Sequence, residues 1–237
     1  MTWYREWFGE EYLDLYSYRD EAEARRQVEF FRSQFGAIRG PILDLACGKG
    51  RHVRELIASG YDVIGCDLSW TLLRYGVAEF GAMPLVRADM RRLPFGDDAF
   101  RGLVNFFTSF GYFEDEEENV RTVREMARVL GRGAPFLFDY LNVHRELSRL
   151  VEREERLTDS GPVLIERWFD GAARTFNKRI TMGEKKFLER VRGYDLDEMT
   201  AIFASSGMAI VQAFGDFEGA PFGQDSPRLI LLGARRS

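Results

Sequence analysis

Short apolar runs alternating with helical periods constrain this chain more than any other feature. PILDLA (41 to 46), DVIGCD (62 to 67), PLVRAD (84 to 89), FRGLVNFF (100 to 107) and APFLFDYL (134 to 141) are strand-length runs. HVRELIASG (52 to 60), SWTLLRYGVAEFG (69 to 81) and ENVRTVREMARVLG (118 to 131) repeat apolar residues at helical spacing. Ser69 stands where a helix N-cap belongs, and Gly60 closes the helix before the second strand. Strands separated by helices imply right-handed crossovers and a parallel sheet, with ligands outside the carboxyl ends of the strands. The predicted class is α/β, doubly wound.

The alternation stops after Asn142. VLIERWFDG and ARTFNKRIT follow, joined at Asp170-Gly171, a hairpin-type turn, and strands on a tight turn run antiparallel. DLDEMTAIFASSG (195 to 207) returns to helix, and MAIVQAFG (208 to 215) and RLILLGARR (228 to 236) read as two closing strands, making seven in the main sheet. Before the first strand, Ala24, Val28, Phe31 and Phe35 recur at helical spacing from about Asp20 onward. The expected organisation is a helical cap over 1–40, a doubly wound domain from 41–142 and 195–237, and an antiparallel β insertion over 143–194.

With 237 residues and 45% apolar content, one large core is well supplied. The formal net charge of -5 disfavours nucleic acid as partner, since its binders usually display clustered Lys and Arg. No apolar run approaches bilayer-spanning length and the N-terminal residues are charged every few positions, so a cytoplasmic protein without membrane contact is expected. The two cysteines, Cys47 and Cys66, form neither a disulfide framework nor a metal cluster, and no metal is expected.

What ligand the turn after PILDLA holds follows from its residues. A nucleoside-triphosphate loop needs Ser or Thr after its Lys, but Lys49 precedes Gly50 and Arg51. A dinucleotide loop needs a third small residue where His52 or Val53 stands. Asp44, at the carboxyl end of the first strand, would repel a pyrophosphate and attract a cation. A ligand with an ammonium group, a sulfonium and an adenosine suits the turn, with Gly48 and Gly50 admitting close backbone approach. Asp67 ends the second strand, where a carboxylate accepts from ribose hydroxyls. Asp89 ends the third, placed to accept from an adenine amino group while the Met90 thioether packs on the ring.

In order and spacing, DLACGKGRH, GCDLS, RADMRRLPF and NFFTSFGYF resemble the class I S-adenosylmethionine-dependent methyltransferases, especially the branch acting on small molecules. The resemblance implies a Rossmann-like methyltransferase fold, S-adenosyl-L-methionine as cofactor and S-adenosyl-L-homocysteine as product. It implies methionine-end contacts from Asp44, Ala46, Gly48 and Gly50, ribose contacts from Asp67 and Leu68, and adenine contacts from Asp89 and Met90. Asn105 and Phe106 supply contacts beyond the fourth strand. Relatives often fold an aromatic N-terminal segment over the cofactor, and Tyr12 and Tyr16 match that spacing; packing against outer helices or a dimer contact is the competing account. Lys49 stands where relatives often carry Thr or Ser, and Leu72 where Met is common.

The expected activity is methyl transfer to N, O or C of a small molecule. The alternatives are an RNA or protein methyltransferase on the same fold and a non-catalytic S-adenosylmethionine-binding protein. The twin prolines of base-amino methyltransferases are missing after Asn105, which again disfavours nucleic acid. The acceptor pocket is expected among Ser109, Phe110, Tyr112, Tyr140 and Asn142, with Tyr112, Tyr140 and His144 as candidate bases. His52, which opens the first helix beside the glycine turn, is read as structural or as a support behind the residues that touch the ligand. A monomer or homodimer is expected.

Overall fold

A computed structural model describes residues 2–17 and 21–237. Three helices lead: α1 (Trp3–Trp7), α2 (Glu10–Leu15) and α3 (Glu21–Phe35). Asp20, the expected first residue of the third, lies outside the described residues. Then β1 (Ile42–Leu45), α4 (Arg51–Ala58), β2 (Val63–Asp67), α5 (Trp70–Phe80), β3 (Leu85–Arg87), β4 (Gly102–Asn105), α6 (Glu116–Val129) and β5 (Pro135–Leu141) alternate as the periodicity predicts. After them come α7 (Val143–Ser148), β6 (Arg153–Thr158), β7 (Gly161–Asp170), β8 (Thr175–Met182), β9 (Lys185–Arg192), α8 (Leu196–Ser205), β10 (Met208–Phe214) and β11 (Arg228–Arg235).

The main sheet has seven strands in the order β10-β11-β5-β4-β1-β2-β3. β1 runs parallel to β2 on one side and to β4 on the other, and every residue of β1 and β4 is buried, as central strands covered on both faces require. β11 enters antiparallel between β5 and β10. Its pairing with β10 shifts by one residue at Val211, a bulge, and a Cβ on Gly233 would lie 2.0 Å from the Ala209 carbonyl oxygen. Strand order reverses between β1 and β4, which opens a crevice at their carboxyl ends.

β6 to β9 form a separate four-stranded antiparallel sheet. The turn expected at Asp170-Gly171 is longer, occupying residues 171 to 174. Asp170 Oδ1 accepts from the N–H groups of Ala172 and Ala173, and Arg174 takes left-handed backbone, so the side chain of Asp170 organises a wider loop. One face of this sheet packs on α1 and α2: Val163, Ile165 and Ile180 are buried with Trp3, Trp7 and Leu15. β4 is shorter than its apolar run because Phe107 and Thr108, with φ of 69° and 53°, leave extended geometry. Ser69 caps α5 through its side chain, which accepts from Leu72 N–H, and Asp195 caps α8 in a capping box with Glu198.

No helix among the described residues is long and apolar enough to cross a membrane.

Candidate active site

The turn after β1 coils because Ala46, Gly48 and Gly50 all take positive φ, at 57°, 58° and 84°. Its centre is tied to the next strand. Gly48 N–H donates to Asp67 Oδ2 at 2.8 Å, and Ser69 N–H donates to Asp67 Oδ1 at 2.7 Å. α5 crosses directly behind the turn at Gly76, where a Cβ would sit 2.0 Å from the Lys49 carbonyl oxygen. Asp44 lies beneath, 1% exposed, and its Oδ2 has no hydrogen-bond partner among the described residues. Burial pushes its carboxyl well above the usual range; the nearby Asp67 adds to this and Arg51 opposes it. Burial also raises Asp67, against the pull of the Ser69, Gly48 and Leu68 N–H groups.

Asp89 is held in place by its neighbour. Arg91 donates Nε to Oδ1 at 3.0 Å and Nη2 to Oδ2 at 2.6 Å, a fork that outweighs burial and keeps the Asp89 carboxyl below its ordinary value. Arg91 itself lies over the Phe113 ring at 4.4 Å.

A cavity of about 600 Å³ opens at these strand ends. Ala46, Gly48, Asp67, Leu68, Asp89 and Met90 line it, as do Phe106 and Tyr12. Asp44, Gly50 and Asn105 sit just behind the lining. Asn105 donates Nδ2–H to the Leu45 carbonyl at 2.7 Å while its buried Oδ1 has no partner among the described residues. His52 also lines the cavity; it is buried, donates Nε2–H to Gln27 Oε1 at 2.6 Å and stacks on Phe106 at 4.1 Å, and burial holds its pKa well down.

On the acceptor side, Ser109 and Tyr112 line the cavity. Tyr112 OH donates to the Thr108 carbonyl at 2.6 Å. Four other expectations are corrected. Phe110 is core, packed on Phe138 and Tyr194, because its loop turns inward. Tyr140 is fully buried with its OH donating to the Arg192 carbonyl, and burial raises its pKa, so it is no base. The Asn142 amide donates to the carbonyls of Gly223, Gln224 and Ser226 and caps α7, which fastens a loop outside the cavity. His144 is exposed on the first turn of α7 and is absent from the lining.

The cavity wall also contains groups that periodicity cannot mark. α1, α2 and the residues that cap their carboxyl ends cover it with Trp3, Phe8, Tyr12 and Tyr16. Glu189 on β9 accepts from Trp7 Nε1 at 2.6 Å and from Tyr16 OH at 3.1 Å, and its cross-strand partner Lys178 reaches it at 3.1 Å. On the main-sheet side, Ser69 Oγ donates to the Phe8 carbonyl at 2.6 Å. Arg228, at the start of β11, donates to Asp139 Oδ1 at 2.7 Å and Thr108 Oγ1 at 2.6 Å. Phe107 N–H donates to Asp139 Oδ2, so this buried carboxylate holds the left-handed turn after β4. In sequence, Lys178 and Glu189 sit in an alternating charged strand pair, the signal of a half-exposed sheet.

Among known proteins, a methyltransferase domain model matches residues 42–133. The Bacillus subtilis protein YqeM is 32% identical over 104 residues, covering 43% of this chain and 42% of that protein. A demethylmenaquinone methyltransferase of Mycobacterium tuberculosis is 38% identical over 135 residues, 53% of this chain and 55% of the relative. A human protein named probable tRNA methyltransferase 9B is 25% identical over 138 residues, 58% and 29%. The matched stretches thus span about half or less of these relatives' own lengths.

Two solved structures show the fold across nearly the whole chain. An S-adenosylmethionine-dependent methyltransferase from Clostridium acetobutylicum superposes with a TM-score of 0.79 at 19% identity, covering 95% of this chain and 96% of that one. The sugar N-methyltransferase KedS8 from a Streptoalloteichus species gives 0.70 at 22% identity, covering 97% and 94%.

Proposed function

We propose that this chain, whose residues 42–133 match a methyltransferase domain model, moves a methyl group from S-adenosylmethionine to N, O or C of a small molecule. The observation that carries this reading is the pair of carboxylates at one glycine turn, Asp44 buried and Asp67 half-buried. Asp44 offers an unpartnered buried oxygen to a cation, and Asp67 faces the cavity in an orientation fixed by two backbone donors.

The residues fit the cofactor. Asp44 and the turn of Ala46, Gly48 and Gly50 would hold its amino-acid end, Asp67 and Leu68 its ribose, and Asp89 and Met90 its adenine. Asn105 and Phe106 close the far side. When bound, S-adenosylmethionine supplies a carbon already activated by sulfonium. The chain's remaining task is alignment, which can contribute roughly 7 to 11 kcal/mol. Tyr112, which alone among the candidate bases Tyr112, Tyr140 and His144 lines the cavity, is the group placed to orient an acceptor's proton-bearing atom. Residues 2–17 act as a lid that excludes water, with Tyr12 against the cofactor. A cavity of this volume, walled by aromatic side chains, suits a small molecule better than a polymer.

Calorimetric titration with S-adenosylmethionine and S-adenosylhomocysteine tests the reading. We expect micromolar binding that Asp67→Ala reduces at least about tenfold, as loss of a hydrogen-bonded charge does. No binding of either ligand at millimolar concentration would sink it.

A further inference from the structure

Resting on the methyl-transfer reading above, we infer that the acceptor carries an anionic oxygen group, carboxylate or phosphate, received by Arg228 together with Arg167. Both residues line the cavity, Arg228 beside Thr108 after the fourth main-sheet strand and Arg167 on the insertion sheet. Both are held from behind by carboxylates that do not line it. Arg228 donates Nε to the fully buried Asp139, and Arg167 donates Nη2 to Glu154 at 2.7 Å.

This placement fixes the cations without using all their donors. Arg228 Nη1 and Arg167 Nε make no hydrogen bond among the described residues. The Arg228 side chain is 23% exposed and that of Arg167 21%, so each is largely withdrawn from solvent yet open to the cavity. The plane of Arg228 is fixed further by Thr108 Oγ1 and by the Phe107 ring, 5.4 Å from its centre. A guanidinium immobilised on one edge presents its other edge as a rigid fork, the geometry that selects planar or tetrahedral oxyanions.

The carboxylates on the same side do not cancel this. Glu189 is occupied by Trp7, Tyr16 and Lys178, and Glu146, which also lines the cavity, is exposed on α7 where water screens its charge. A neutral or cationic acceptor would leave two desolvated guanidinium edges unanswered, whereas an anion satisfies both. Phe176, Leu141 and Val191 between them offer an apolar surface to the rest of the molecule.

The test uses the whole protein loaded with S-adenosylhomocysteine and titrated with benzoate, phenyl phosphate and the neutral isostere benzamide. One or both anions should bind at least about tenfold more tightly than benzamide, and Arg228→Lys, which keeps the charge but not the fork, should remove about that factor for the anion alone. Arg167→Gln, on the insertion sheet and away from the buried Asp139, should weaken the same anion several-fold and serves if Arg228→Lys fails to fold. Tighter benzoate identifies a carboxylate acceptor, tighter phenyl phosphate a phosphorylated one. Equal binding of benzamide, no binding of either anion, or variants that bind like the parent overturn the inference. Failure to load the cofactor product is a separate result that strikes the methyl-transfer reading. The same titrations on unloaded protein then still decide the anion site.

Discussion

Asp44 is a carboxyl with no donor at Oδ2 among the described residues, under a turn that faces a cavity, and burial raises its pKa well above the ordinary 3.8. A raised acid means that the folded protein binds more protons than the unfolded chain above pH 3.8, so this residue's contribution to unliganded stability falls as pH rises from there through the folded-state pKa. A bound cation favours the carboxylate and lowers that pKa. Cofactor binding should therefore release protons over the window above about pH 4 and stop doing so once the free-protein pKa is passed. Titrations with S-adenosylhomocysteine in buffers of different ionisation heat measure the release directly. Asp44→Asn should abolish most of it, leaving any contribution from Asp67; an unchanged release in that variant would assign the proton elsewhere.

At the scale of elements, the site depends on how closely α5 approaches the turn after β1. The approach passes through Gly76, where an added methyl group meets the Lys49 carbonyl oxygen at 2.0 Å and its carbon at 2.7 Å. Backbone cannot rotate aside as a side chain does. Gly76→Ala should cost about 1 to 3 kcal/mol in denaturant unfolding and weaken cofactor binding as the turn shifts, while Gly96→Ala, in open space, changes neither. Elements were legible in sequence for the same reason that contacts such as this were not. Strand and helix periods run along the chain, so β1, β2, β5 and the capped α5 fall within a residue or two of their expected bounds. The end of β4 is set by Asp139, the fate of Phe110 by Phe138 and Tyr194, and the role of Asn142 by carbonyls more than eighty residues away. None of these partners is adjacent in sequence. The three aspartates of the rim were legible because each stands at or near the carboxyl end of an apolar run: Asp67 ends β2, Asp44 is next to last in β1, and Asp89 lies two residues past β3. Arg228 was not, because its meaning comes from a neighbour in the sheet.

For the molecule as a whole, the two halves of the cavity draw on different spans of chain. Apart from the N-terminal cover with Tyr12, the proposed cofactor side lies within residues 44 to 106, on strands that run parallel to their sheet neighbours. The acceptor side needs β11, whose residues 228 to 235 must slot between β5 and β10 before Arg228 reaches Asp139. Contacts of long sequence separation form late because loop closure costs entropy first. Pulse-labelling hydrogen exchange during refolding should show amides of β1, β2 and β4 protected before those of β5 and β11 acquire their mutual bonds; simultaneous protection would contradict it. An antiparallel strand wedged into a parallel sheet thus becomes a matter of timing: on the methyl-transfer reading, a newly made chain would be able to grip its nucleoside before β11 has supplied the wall against which to choose what to methylate.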